Sequence, residues 1–247
     1  MHCQPSHKRE VYIWSKSNQT CLICDEATDS PSTVCNACEL DLPWLTDGCR
    51  VCALPLPMSG LICGECQRSP PAFHQVTAPW TYSFPVDSLI SRFKHQGKWP
   101  LGHLLANLLG QCLQDGFDNA ELTRPDRLLP VPMAAKRLRQ RGYNQAAMLA
   151  RWLSQDLDLD LALDEHMLLR PQDTIAQQQL AAKQRQRNLL KAFALAPDAQ
   201  VRGQHLALVD DVLTTGATAH SLARLLLHAG ARQVDVYCLA RTPKPGT

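Results

Sequence analysis

The chain has 247 residues, a formal net charge of +2 at pH 7 and 11 cysteines, with 45% hydrophobic and 19% charged residues. This length predicts one large or two small folded domains, and the hydrophobic content is too high for a disordered chain. The near-neutral charge argues against a strongly basic nucleic-acid-binding module, although it leaves room for a local basic patch.

The N-terminal segment carries no recognisable targeting signal. Its first twenty residues are interrupted by charged side chains and lack the apolar core of a secretory signal. No stretch of the chain approaches the ~18 consecutive apolar residues of a membrane helix, so we expect no membrane insertion. We therefore expect a cytoplasmic protein, in which clustered cysteines indicate metal ligands or redox groups before disulfides. Residues 1–19 match no pattern, and we interpret them as a tail that could be disordered.

Eight of the cysteines form four C-x-x-C motifs that begin every 14 residues. The motifs are Cys21/Cys24, Cys35/Cys38, Cys49/Cys52 and Cys63/Cys66. A C-x-x-C turn directs two thiolates to one metal, and a second turn completes the tetrahedral four-sulfur shell of structural zinc. The block therefore predicts two structural zinc sites. A closed shell leaves no position for a catalytic water.

The cysteine block has two alternative interpretations, a redox pair and disulfides. A thioredoxin-like redox pair lies on a βαβ unit and does not recur four times, whereas disulfides stay a second choice. Equal steps of 14 allow neighbouring motifs to share a metal, which gives two stacked zinc ribbons, or a cross-brace, and we favour neighbours. Because apolar residues are few between the motifs, metal binding is expected to supply the folding energy of the block, about 10 kcal/mol per site.

A second unit follows the cysteine block. Gln67–Pro71 predicts a short linker, so we expect a double zinc ribbon at 20–70 and a larger domain at 72–247. Leucines that recur at helical spacing over 101–112 predict an amphipathic helix, with Cys112 as a small buried hydrophobe. Residues 128–131 predict a strand. A basic loop and then a helix with its apolar face at 146–153 are expected to follow.

The C-terminal part predicts a parallel βαβ unit. Leu206–Val209 and Val234–Leu239 have the composition of buried strands, the second with Cys238 in the core, and apolar positions over 219–226 mark a helix between them. Gly230 is typical of the residue that ends a helix. The larger domain is therefore expected to be α/β, with a parallel sheet flanked by helices.

The candidate chemistry lies between these two strands, in the run VDDVLTTGAT from Val209 to Thr218. Asp210 and Asp211 would stand at the carboxyl end of a strand, where ligands bind in open α/β sheets. A divalent cation or vicinal hydroxyls would offset their repulsion. The following Thr-Thr-Gly-Ala-Thr turn offers hydroxyls and free N–H groups at a helix start, which suit a phosphate. The run therefore predicts a site for a ribose 5-phosphate that carries further phosphates, and the alternative is ordinary helix capping by Asp and Thr.

Other sequence signatures do not compete with this one. The chain contains no G-x-x-x-x-G-K-[ST] or G-x-G-x-x-G phosphate motif. It also lacks H-E-x-x-H and G-x-S-x-G, so metalloprotease and α/β-hydrolase interpretations are excluded.

The run also resembles the signature of type I phosphoribosyltransferases that binds 5-phosphoribosyl-1-pyrophosphate (PRPP), namely an apolar strand, paired acids and T-T-G-x-T. From about residue 20 onward the chain is similar to the bacterial ComF/GntX family, in which a zinc ribbon precedes such a domain. Arg137–Gln145 resembles the R-x-x-R-G-[FY]-N-Q segment of that family, and Phe93-Lys94 with Gly97 resembles its [FL]-K-[YF]-x-G element. A further stretch of the family has the pattern R…T…Q…R-x-x-N…F. This chain resembles it with Arg170, Thr174, Gln177, Arg185, Arg187, Asn188 and Phe193, although here Arg187 stands directly before Asn188.

The resemblance implies roles for these residues. Asp210 and Asp211 would meet the ribose hydroxyls of PRPP, directly or through Mg²⁺, and the 5′-phosphate would be held by Thr214, Thr215, Gly216, Ala217 and Thr218. Cations beside the leaving pyrophosphate would stabilise the transition state more than the ground state. The candidate cations are Lys136, Arg137, Arg139 and Arg141. The resemblance implies that Lys136 and Arg137 bind PRPP. It also implies that Arg137 and Arg141 act in catalysis together with Asp210 and Asp211.

Two segments keep more than one interpretation. Gln172–Asn188 could be a mobile cover that excludes water from the reacting centre, although Arg185 and Arg187 could equally mark a solvated basic helix face. Asn144 and Gln145 could bind a ligand or simply begin a helix.

Two functions follow from the resemblance. The first is Mg²⁺-dependent displacement of pyrophosphate from PRPP by a base or other nucleophile. The second is a non-catalytic PRPP- or nucleotide-responsive accessory protein whose ribbons contact single-stranded DNA or a competence or DNA-processing protein, since the family is associated with DNA uptake and use. Arg50, Arg68 and Trp44 could contact nucleic acid. Acidic residues disfavour DNA at the first ribbon, namely Asp25, Glu26, Asp29, Glu39, Asp41 and Asp47.

Overall fold

The computed structural model describes residues 19–29, 33–155, 161–171 and 192–244. The predicted tail lies outside these ranges apart from Gln19. The cysteine-rich part contains the short elements β1 (Gln19–Thr20), β2 (Ala27–Thr28), α1 (Asn36–Leu40) and α2 (Gly64–Arg68). Each of these two helices begins where a thiol accepts a backbone N–H, since Cys35 and Cys63 cap α1 and α2. Because α2 includes Arg68, the predicted linker at Gln67–Pro71 begins two residues too early.

The larger unit is built around a six-stranded parallel sheet, and the sequence predicts a parallel sheet. The elements of this unit are β3 (Val76–Thr77), β4 (Trp80–Thr81), α3 (Val86–Gln96), α4 (Trp99–Asp118), β5 (Arg127–Pro130), α5 (Ala135–Arg141), α6 (Gln145–Gln155), β6 (Ala162–Leu163), β7 (Leu168–Leu169), β8 (Ala194–Leu195), β9 (His205–Leu213), α7 (Ala217–His228) and β10 (Gln233–Arg241). The strand order is β3-β10-β9-β5-β6, and β4 also pairs with β10. All of these pairs are parallel, whereas β7 and β8 form a separate antiparallel pair.

Each face of the sheet is covered by its own apolar core, because successive residues of a strand point to opposite sides. Ala207 and Val209 of β9 pack with α3, α4 and α6, and this side is called the α4 face. Leu206 and Leu208 pack with α7, and this side is called the α7 face. Burial on both faces explains the continuous apolar run that predicts β9.

The cysteine-rich part joins these two cores. Cys21, Val34 and Leu42 are buried in the core of the α4 face. Cys49, Cys52, Cys63 and Cys66 are buried in the core of the α7 face. Apolar packing against the sheet therefore contributes to the folding of this part, beside the metal binding that the sequence predicts.

The remaining elements agree with the sequence, with two differences. The helices predicted over 101–112, 146–153 and 219–226 are α4, α6 and α7, and Gly230 follows α7 with a φ of 98°. The stretch predicted as a basic loop is the helix α5, because Arg, Lys, Leu and Gln favour helix without an apolar repeat, and Gly142 at φ 85° ends it. Strand β9 also continues through the acidic pair to Leu213. None of the helices in the described ranges is long and apolar enough to cross a bilayer.

Candidate functional site

The eight cysteines of the C-x-x-C motifs form two groups, each made by neighbouring motifs as we favoured. The first cluster is Cys21, Cys24, Cys35 and Cys38, and the second cluster is Cys49, Cys52, Cys63 and Cys66. Within each cluster the four sulfur atoms lie within 4.8 Å of one another. Backbone N–H groups point at the sulfurs, for example Cys63 N at 3.2 Å from the Cys49 Sγ.

The sulfur separations fit a zinc ion and exclude disulfides. The Sγ atoms of Cys24 and Cys35 are 3.8 Å apart, and those of Cys52 and Cys63 are 3.7 Å apart. A tetrahedron with Zn–S bonds of about 2.3 Å has edges of about 3.8 Å, whereas a disulfide needs about 2.05 Å. All described cysteines are free thiols.

Each cluster contains one thiol that ionises easily. Burial raises the pKa of Cys21 and of Cys49, but backbone N–H donors outweigh it and lower the two pKa values to about 6 and about 7. Burial and neighbouring sulfurs raise the pKa of Cys38 and of Cys66 well above the usual range. A cation that binds four sulfurs must therefore displace the protons of the other thiols.

The acidic pair lies inside β9, at its carboxyl end. The Asp211 side chain is buried, and its Oδ2 is 2.9 Å from the Lys94 Nζ of α3. Asp210 is half-buried, and its Oδ1 accepts the backbone N–H of Asp211 at 2.8 Å. Burial and the neighbouring Asp211 carboxylate raise the pKa of Asp210 to about 8.

Part of the repulsion within this pair is offset by Lys94, which pairs with Asp211. Burial and the Asp211 carboxylate shift the pKa of Asp210 upward, so its protonated form is favoured relative to an ordinary aspartate. The sequence resemblance includes Lys94 in the Phe93-Lys94-Gly97 element but predicts no role for it. The signal was present, because a lysine on an otherwise apolar helix face requires a charged partner.

The loop that follows, Thr214–Gly216, connects β9 to α7. Thr214 and Thr215 are exposed, and Gly216 begins the helix with a φ of 74°, a conformation that favours glycine. The N-cap position of α7 is Gly216, which has no side chain, so of the alternative interpretation, capping by Asp and Thr, only a contact from Thr215 is present. Thr215 Oγ1 lies 3.4 Å from the Ala217 N. The loop thus presents hydroxyls and a helix N-terminus beside the acids.

The basic helix α5 follows the neighbouring strand at the same edge of the sheet. Pro130 of β5 pairs with Val209, so α5 begins close to the acidic pair along the sheet. Lys136, Arg137 and Arg139 are exposed, and Arg141 donates to Gln145 Oε1 at 2.5 Å. The exposed guanidinium groups of Arg137 and Arg139 therefore place positive charge at this edge.

Two residues of the R-G-Y-N-Q segment hold the site in place. Asn144 donates its amide to the Val131 carbonyl at 3.1 Å and accepts the Ala146 N–H at 3.1 Å, which caps α6. Tyr143 donates its hydroxyl to the Phe93 carbonyl, directly before Lys94. The helix-starting interpretation of Asn144 is thus the one supported by its contacts.

Other predicted residues lie elsewhere. The cover at 172–188, with Thr174, Gln177, Arg185, Arg187 and Asn188, lies outside the described residues. Arg170 stacks over the Phe193 ring at 5.3 Å. The Trp44 ring packs against buried Trp80, with 5.4 Å between ring centroids, which disfavours it as a platform for bases.

Sequence reasoning also missed Arg241, the last residue of β10. This arginine is 6% exposed, and its Nη1 donates to the Leu213 carbonyl at 3.1 Å and to the Thr214 carbonyl. No motif marked it, because its sequence neighbours are those of an ordinary buried strand.

Known families and proteins match both parts of the chain. The double zinc ribbon domain family matches residues 18–67, and the phosphoribosyl transferase domain family matches residues 144–246. The DNA utilization protein YhgH of Salmonella typhimurium is 34% identical over 85% of this chain and 90% of its own length. Competence protein F of Haemophilus influenzae is 34% identical over 78% of this chain and 84% of its own. Competence protein ComFC of Bacillus subtilis is 27% identical over 90% of this chain and 95% of its own.

Proposed function

Since the chain belongs to the ComF/GntX family, with a double zinc ribbon and a phosphoribosyltransferase domain, we propose that it binds PRPP with Mg²⁺ and acts in the uptake or use of DNA. The observation that carries the proposal is the meeting of the acidic pair with the Gly216 loop at the carboxyl end of β9. The basic helix α5 starts at the same edge. The relatives named DNA utilization protein and competence protein support the DNA role.

Each part of this edge suits one part of PRPP. Free N–H groups and hydroxyls of Thr214–Thr218 suit the 5′-phosphate. Asp210 and Asp211 suit the vicinal ribose hydroxyls, and the α5 cations suit the pyrophosphate. Asp210 would also hold Mg²⁺, because the residue is only half-buried and Mg²⁺ prefers oxygen ligands. Bound Mg²⁺ supplies positive charge to the pyrophosphate.

If the protein is an enzyme, its own residues stabilise the departure of pyrophosphate. Arg137 and Arg141 of α5 carry charge that is worth most when the C1–O bond breaks, since negative charge then accumulates on the leaving group. Thr214–Thr218 keep the sugar phosphate fixed while C1 moves towards the nucleophile. The acceptor would be a base or another nucleophile.

Titration calorimetry tests the binding. The zinc-loaded wild type should bind PRPP with Mg²⁺, and Asp210→Asn/Asp211→Asn should bind at least about tenfold more weakly. The exposed Asp198→Asn change provides a control of the same chemistry away from the edge. No heat with the wild type would rule out PRPP as the ligand.

A second candidate is a non-catalytic accessory protein that responds to PRPP or a nucleotide. Exposed apolar residues on both ribbons favour it, since Leu40 is 72% exposed and Met58 is 61% exposed. Because the first ribbon is acidic, a protein partner suits it better than single-stranded DNA. Pyrophosphate release over a panel of bases would identify the enzyme, whereas PRPP binding without release would identify the accessory protein.

We propose that each four-cysteine cluster holds one zinc ion as a structural element. The sulfur separations support this assignment. Elemental analysis of protein purified under reducing conditions should return about two zinc per chain. A content near zero would contradict the assignment.

A further inference from the structure

Arg241 makes an unusual set of contacts for a buried charge. Its Nε donates to the Cys52 carbonyl at 2.9 Å, and its Nη1 donates to the carbonyls of Leu213, Thr214 and Thr242. Within the described part of the chain its hydrogen bonds all go to carbonyl or hydroxyl oxygens. Burying a cation without a carboxylate is costly, and these hydrogen bonds to oxygens offset part of that cost.

The oxygens that Arg241 joins belong to two different sites. Cys52 belongs to the second cluster, and Leu213 with Thr214 begins the candidate phosphate loop. A guanidinium is a rigid planar fork, so the position of one carbonyl restricts the position of the others. Arg241 therefore links the backbone of the second cluster to the backbone of the loop.

A second contact connects the same two regions. Phe73 follows α2, which carries the last cysteine of the second cluster, and its ring packs against Gly216. A β-carbon at Gly216 would lie 3.7 Å from the Phe73 Cζ. The neighbouring Ala72 donates its N–H to His220 Nδ1 of α7 at 3.0 Å. Both ends of the loop thus rest on chain that surrounds the second cluster.

The first cluster lies in different surroundings. Cys21 joins the core of the α4 face, together with Trp80, Leu89 and Phe93. All four cysteines of the second cluster share the core of the α7 face with Leu213 and Ala219, which flank the loop.

We propose that Arg241 is a positioning residue that makes the order of the phosphate loop depend on the second cluster and not on the first. This inference rests on the proposed function for the meaning of the loop, but the link between the two regions is tested without PRPP. When the second cluster loses its metal, the Cys52 carbonyl shifts and the loop carbonyls lose their common donor.

Hydrogen exchange measured by mass spectrometry tests the link in the ligand-free, zinc-loaded protein. Arg241→Lys should speed exchange of the 213–218 amides about tenfold, because an ammonium cannot span both sets of carbonyls. Arg68→Lys is the matched control, since Arg68 is exposed and donates to Gly64 within its own helix. Exchange of 234–238 in β10 reports global unfolding and serves as the internal reference.

Unchanged loop exchange in folded Arg241→Lys would overturn the proposal. If Arg241→Lys fails to fold, exchange in β10 rises as well. The link is then tested by removing metal from the wild type. Chelator added to the wild type should loosen 213–218 in step with loss of metal from the second cluster. Loosening in step with the first cluster would overturn the proposal.

Calorimetry separates this inference from the proposed function. If PRPP binds the wild type, Arg241→Lys should weaken it about tenfold, and Arg68→Lys should leave it unchanged. If PRPP does not bind at all, the proposed function fails, while the exchange result still decides the link.

Discussion

The core on the α4 face contacts the first four-cysteine cluster, and the core on the α7 face contacts the second, but the two clusters differ in burial. Cys24 of the first cluster is exposed, with Cys35 and Cys38 half-buried, whereas every cysteine of the second is buried. The same motif repeated at the same spacing therefore gives one cluster near solvent and one inside a core. Burial was decided by what each ribbon packs against, and the cysteines themselves are alike.

The two faces also supply different cations to the candidate site. Lys94, on the α4 face, pairs with the Asp211 carboxylate. Arg241, beside the α7 face, binds backbone carbonyls of the loop. One cation thus sets the charge of the acidic pair, and the other sets the shape of the loop. The following predictions test this division.

The largest effect is expected from removing one ligand of each cluster. Cys66→Ser should lower the free energy of unfolding by about 5 kcal/mol, because it loses metal and leaves polar groups in a core. Cys38→Ser occupies the equivalent position of the first cluster and should lower it by about 2 kcal/mol. Urea denaturation of both variants measures the difference. Equal losses would show that burial does not distinguish the clusters.

The next effect concerns the ion pair on the α4 face. Lys94→Met should lower the free energy of unfolding by about 3 kcal/mol, since removing one partner leaves a buried carboxylate without its cation. Lys98→Met changes an exposed lysine just beyond the same helix and should cost less than about 0.5 kcal/mol. Urea denaturation at pH 7 measures both.

A double variant gives this prediction its internal check. Lys94→Met/Asp211→Asn removes both charges, so it should recover most of the stability lost in Lys94→Met. If the double variant is no more stable than the single one, Lys94 contributes through packing and not through Asp211.

A smaller effect is expected in the rate of metal release. A chelator should remove zinc in two phases, with the first cluster about tenfold faster, because Cys24 is exposed to attack and the second cluster opens only with its core. Absorbance of a chromogenic chelator follows both phases. Cys38→Ser should lack the fast phase. If it lacks the slow phase instead, the first cluster is the one that releases metal slowly.

The cysteine clusters and the central elements of the larger domain, namely α4, β5, α6, β9, α7 and β10, could be predicted from the sequence because their signals are local. A pair of C-x-x-C turns can be recognised from a short stretch of sequence, such as Cys49 to Cys66. A buried apolar strand can be recognised in the same way, as Leu206 to Val209 shows. The helix α5 was missed because seven residues with one leucine show no apolar repeat.

The contacts between distant residues could not be predicted in this way. Lys94 lies 117 positions before Asp211, and Arg241 lies 189 positions after Cys52. Nothing in the spacing of these residues indicates that a helix on one face and a strand end beside the other reach the same end of β9. The packing of α3 against the sheet brings Lys94 to Asp211, and the packing of the second ribbon against the sheet brings Cys52 to Arg241.

The smallest effect, counted per pH unit, concerns Asp210, whose folded pKa of about 8 lies above its ordinary value of 3.8. Between these values the folded state holds a proton that the unfolded state has released, so stability falls as the pH rises through this window.

Asp210→Asn removes that proton, and its stability relative to the wild type should increase from pH 5 to pH 8 and then level off. We expect about 1 kcal/mol for each pH unit in this window, below the limit of about 1.4 kcal/mol per pH unit, because Asp210 is only half-buried and solvent screens part of its charge. Urea denaturation of zinc-loaded protein without Mg²⁺ measures the trend, with Asp198→Asn expected to stay parallel to the wild type. A constant difference between Asp210→Asn and the wild type would mean that Lys94 already compensates both carboxylates, and the charge of the pair would then be set entirely from the α4 face.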